Sequence, residues 1–67
     1  MQAPHTTTAL REYTVRLHKV KALMARLEDA LDRHADRAAA QPDNWCFADE
    51  VGAVEAQLSQ LLASVTA

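Results

Sequence analysis

The sequence predicts an all-α protein: an antiparallel helical hairpin, one long helix and one short, that self-associates into a four-helix-bundle-like dimer. Three observations carry this. Apolar residues recur at alternating spacings of three and four along both parts of the chain, a helical period. One Gly and two Pro among 67 residues leave long stretches free of helix breakers. The only proline inside the pattern, Pro42, divides it in two.

The leading MQAPH reads as a disordered start, residues 1–6, after which Thr6, Thr7 and Thr8 offer hydroxyls to the unpaired N–H groups of a first turn. The first helix is expected over residues 7–40. Its apolar positions run Leu10, Tyr13, Leu17, Val20, Met24, Leu27, Leu31, His34 and Ala38 without a Gly or Pro between them. A strict alternation over four heptads is a coiled-coil-like seam rather than the broader stripe of a lone surface helix.

Residues 41–44 form the expected turn, because Pro42 has no N–H to donate and pushes Gln41 out of helical dihedrals. Asn44 or Asp43 can cap a second helix over 45–65, and Asp49 and Glu50 put negative charge in its first turns. Its seam is Phe47, Val51, Val54, Leu58, Leu61 and Val65, widened by Leu62. Two helices joined by about 3–6 residues fold back as an αα-hairpin, so residues 1–67 read as one domain. Trp45 and Phe47 are expected to plug the end of the seam at the corner.

The two helices do not match in length, at ~50 Å and ~30 Å for a rise of ~1.5 Å per residue. Leu10, Tyr13 and part of Leu17 then overhang, and with Val20 they form the expected interface of a homodimer. A second contact is expected where Gly52 and Ala56 lie in a stripe of small residues with Ala48, Ser59 and Ala63, open to close approach by another helical protein or a second copy. Oligomerisation is also the remaining way to stabilise so short a chain. A single Cys closes no internal disulfide, and no Cys/His series has zinc-ligand spacing.

Charge is distributed unevenly. Residues 11–26 hold Arg11, Arg16, Lys19, Lys21 and Arg26 against Glu12, a net of +4 within a chain of net −2. The remaining residues therefore carry −6, with Arg33 and Arg37 against eight acids. Basic and acidic halves of two copies can lie side by side and set their direction. Alternatively Arg11, Lys19 and Arg26, which with His18 share one outer face, can meet nucleic-acid phosphates. In architecture alone that would be similar to small plasmid-borne hairpin dimers that bind paired RNA loops.

His34 and Cys46 come to the same end of a folded hairpin, where two readings stay open. They can form a metal or activated-thiolate site with Asp43 or Asp49, or His34 can be a corner residue packed beside Trp45 and satisfied by a polar group. The second is preferred, since the spacing fits no ligand motif, and no metal or cofactor is assigned. No phosphate loop or nucleophile elbow is present, which points to a non-enzyme. No apolar run spans a bilayer, and Met1 to Thr8 lacks signal-peptide character, so a cytoplasmic location without a membrane partner is expected.

Asn44-Trp45, Glu50-Val51-Gly52-Ala53-Val54 and Leu58 resemble the N-W-x-x-x-x-D-L-G-x-V-x-x-x-L run of small uncharacterised bacterial two-helix proteins borne on plasmids and mobile elements. Cys46 stands where that run has Gly, and Glu50 where it has Asp. The resemblance implies an accessory protein and no particular activity. The expected function is a small accessory or regulatory module working through self-association and protein contacts, with nucleic-acid binding as the alternative.

Overall fold

A computed structural model describes the backbone of residues 3–67 and the side chains of residues 8–67. Helix α1 spans Ala3–Ala40 and helix α2 spans Trp45–Thr66, with no strand among the described residues. α1 begins four residues before the expected Thr7. Pro4 is no obstacle there, because the N–H it lacks belongs to a first turn whose N–H groups have no helical acceptor. Of the segment expected to be disordered, residues 1 and 2 lie outside the described residues.

The chain divides into two compact units, Met1–Asp32 and Arg33–Ala67, with the boundary inside α1. The described residues of the first unit are all helical. Thr14 Oγ1 donates back to the Leu10 carbonyl at 2.9 Å, and Arg16 Nε meets Glu12 Oε2 at 2.7 Å in an exposed pair of the kind worth a few tenths of a kcal/mol.

The second unit contains a reversal of the chain. α1 ends with Arg37 in its last turn, a cation where the dipole favours one, and the Gln41 N–H donates to the Ala38 carbonyl at 3.1 Å. Gln41-Pro42-Asp43-Asn44 then makes a turn closed by the Asn44 N–H on the Gln41 carbonyl at 3.0 Å. Pro42 occupies its second position, where a fixed φ suits the turn, and no residue here has positive φ, so it is not a type II turn.

Asn44 is the cap of α2, at φ −91° and ψ 106°, its Oδ1 accepting from the Cys46 N–H at 3.0 Å. Asn44 Nδ2 also donates to Gln41 Oε1 at 3.1 Å, tying cap to turn. The first turn of α2 holds no acid. Asp49 and Glu50 fall in the second turn, beyond most of the dipole's reach.

None of the described residues is fully buried. Seven are half-buried: Leu17, Leu27, Leu31, His34, Ala38, Phe47 and Val54. Every one is a seam position, so the alternation of three and four describes where packing occurs. Asn44→Ala should lower unfolding free energy by about 1 kcal/mol, while Asn44→Asp holds it within about 0.3 kcal/mol. Urea unfolding followed by helical circular dichroism at one protein concentration measures both.

Candidate functional site

The corner of the second unit is where side chains of different elements meet. His34 lies in the last two turns of α1 and Glu50 in the second turn of α2, sixteen residues apart, yet His34 Nε2 and Glu50 Oε1 are 2.7 Å apart. An unbroken helix would separate them by ~24 Å, so this contact exists because the chain turns back. The His34 side chain is 17 % exposed and that of Glu50 63 %, which leaves the carboxylate solvated on its outer side. Phe47 packs edge-on to the imidazole, with ring centroids 5.4 Å apart and planes at 79°.

This corrects the expected plug. Trp45 is 78 % exposed, and Phe47 is the aromatic that packs on His34. Both belong to α2, whose first residue is Trp45, and two residues at ~100° each place them ~200° apart around the axis. Only one of the pair can face the seam. Trp45 takes the outward side of the corner.

His34 has a polar partner at the corner, and the ring beside it is Phe47 rather than the expected Trp45. Glu50 is that partner, in a contact across sixteen residues that no local pattern signals. Cys46 takes part through its backbone N–H, and its thiol-bearing side chain is exposed. Among the described residues no group of three or more His, Cys, Asp or Glu is placed to hold a metal ion.

The other candidate residues are surface features. Leu10 and Tyr13 are 61 % and 60 % exposed, Val20 is 49 % exposed, and Leu17 is half-buried. Val15 and Leu23, off the seam on the same unit, are also exposed apolar residues that the periodicity did not single out. Leu10, Arg11, Thr14 and Val15 line an open groove along one helix, without the enclosing walls of a small-molecule site. A Cβ built on Gly52 meets nothing within 4 Å, so that part of α2 is open in the single chain. Ala56 is exposed as well. Arg11, Lys19 and Arg26 are exposed and have no ion pair among the described residues.

No helix among the described residues is long and apolar enough to cross a membrane. No protein-family model, no curated protein and no solved structure matches the chain.

The corner contacts have separable weights. His34→Ala and Glu50→Gln should show a coupling of ~0.5 kcal/mol in a double-mutant cycle, since one partner is largely solvated. Phe47→Ala should cost about 1–2 kcal/mol, less than a fully buried Phe. His34→Leu should be neutral or stabilising, because it exchanges a polar ring in an apolar seam for an aliphatic side chain and leaves no buried charge behind. Urea unfolding of the parent and the five variants, the double variant included, decides all three.

Proposed function

We propose that this chain is a small non-enzymatic accessory or regulatory module that works through helix-to-helix protein contacts, assembling by its own apolar seam into a four-helix-bundle-like dimer. The observation that carries this is the absence of any fully buried residue among those described, while Leu10, Tyr13, Val20, Met24, Leu61 and Val65 stay between 49 % and 83 % exposed. Exposed apolar residues at seam spacing on each helix are the signature of surfaces awaiting another helix. Helix lengths support the same reading. α1 has 38 residues and α2 has 22, so α1 is the longer by ~24 Å.

Leu10, Tyr13, Leu17 and Val20 are the proposed contact on α1, with the open face at Gly52 and Ala56 as a further contact on α2. The assembly reading predicts that helicity and thermal midpoint rise with protein concentration. Leu17→Asp with Val20→Asp should weaken association about 100-fold or more, as two buried aliphatic side chains are lost per copy. Sedimentation equilibrium measures this. A folded parent chain that stays monomeric at all concentrations would refute the reading.

The exposure of Arg11, Lys19 and Arg26 on one side of α1 supports a second reading, contact with nucleic-acid phosphates. The chain's acidic balance and its own acidic segments favour the protein reading. In a gel-shift titration with duplex DNA and structured RNA at about 50 mM salt, no retention is expected. Retention that falls steeply with added salt, and is lost in the triple variant Arg11→Glu, Lys19→Glu, Arg26→Glu, would reverse that preference.

A further inference from the structure

Two six-residue stretches of the chain share one layout and carry opposite charge. In Arg16-Leu17-His18-Lys19-Val20-Lys21 the seam residues Leu17 and Val20 are flanked by a cation on each side. In Glu50-Val51-Gly52-Ala53-Val54-Glu55 the seam residues Val51 and Val54 are flanked by a carboxylate on each side. These flanking positions border the contact in a heptad seam, where charge selects partner and direction. Arg16 is engaged by Glu12 and Glu50 by His34, while Lys21 and Glu55 have no ion pair among the described residues. Each stretch thus presents an unmatched flanking charge, Lys21 or Glu55, beside exposed or half-buried seam residues.

We infer that the occupant of the seam is a second copy of this chain, with residues 16–21 of each copy against residues 50–55 of the other and the two α1 helices antiparallel. The inference rests on the assembly reading above and names its partner. One chain carries both the cationic and the anionic stretch, so a two-fold pair satisfies both contacts at once. A parallel pair would instead set residues 11–26, at +4, against the same +4.

The corner contact locates the axis. Because His34 and Glu50 of one copy are 2.7 Å apart, bringing Glu50 of the second copy to Arg16 brings its His34 there too. The two-fold then passes midway between residues 16 and 34, at residue 25, beside Met24 of the seam.

Two measurements on the full chain test this. In the Cys46→Ser background, Met24→Cys lies beside its own copy across the axis and Leu10→Cys lies ~45 Å from its own copy, at ~1.5 Å per residue. Mild oxidation should therefore give a disulfide-linked dimer with Met24→Cys and not with Leu10→Cys. In the second measurement, Arg16→Glu with Lys21→Glu, and separately Glu50→Lys with Glu55→Lys, should each weaken self-association about tenfold or more, and an equal mixture should restore it.

The mixture stays informative where either variant alone is poorly folded, because recovered helicity on mixing reports the pairing. Equal oxidation of Leu10→Cys and Met24→Cys, or a mixture no tighter than its components, overturns the inference while leaving assembly itself standing. A parent chain that sediments as a monomer overturns both.

Discussion

The constraint on which this structure depends is that its apolar residues sit in a seam too narrow and too long for one chain to bury. Among the described residues every half-buried one is a seam residue, and none reaches full burial. Ordering each residue costs on the order of 1–2 kcal/mol of backbone entropy, and apolar burial at about 25 cal/mol per Å² is the main term that opposes it. Helix propensity alone does not close that gap, even in a chain as rich in Ala as this one. The Asn44 cap, the turn and exposed pairs such as Arg16 with Glu12 shape the helices. Their packing energy has to come from the seam.

The corner shows how a chain without an internal disulfide fixes the place of its reversal. Pro42 ends one helix, the Gln41–Asn44 turn is closed by two hydrogen bonds, and Asn44 starts the next helix. His34 and Phe47 add a contact between elements that a continuous helix could not make, and Glu50 satisfies the ring. A polar residue at a seam position is a poor contributor to burial. Its value is in register, because the ring is satisfied only where Glu50 stands opposite, and a helix slipped by one turn would leave it unpaired.

Much of this was legible before any coordinates, for a physical reason. Seam positions, the helix break at Pro42 and the capping role of Asn44 are set by period and local turn chemistry, which act within a few residues. The exceptions fall where local rules give two answers or none. Trp45 and Phe47 are equally suited to plug a corner, and only the helical phase that starts at Trp45 sends one inward and the other out. Glu50 looked like a favourable charge near a helix start. Its engagement with His34 depends on a contact across sixteen residues, which no local pattern announces. Val15 and Leu23 lie off the seam, where an apolar residue has no periodic neighbours to mark it.

In the proposed dimer the seam and the charges divide the work of recognition. Leu, Val and Met side chains at alternating spacings contribute affinity that is almost indifferent to direction, since apolar burial has no sign and successive heptads look alike. Orientation has to come from features that do not repeat. This chain has three: the His34 ring at a single seam position, the cationic flanks at Arg16 and Lys21, and the carboxylate flanks at Glu50 and Glu55. Exposed charges of this kind add little to stability and much to discrimination, because a mismatched pairing sets like charges together along the border of the contact. The uneven distribution of charge in a chain of nearly neutral total is therefore the more specific part of its message, and the apolar seam the stronger but less selective part.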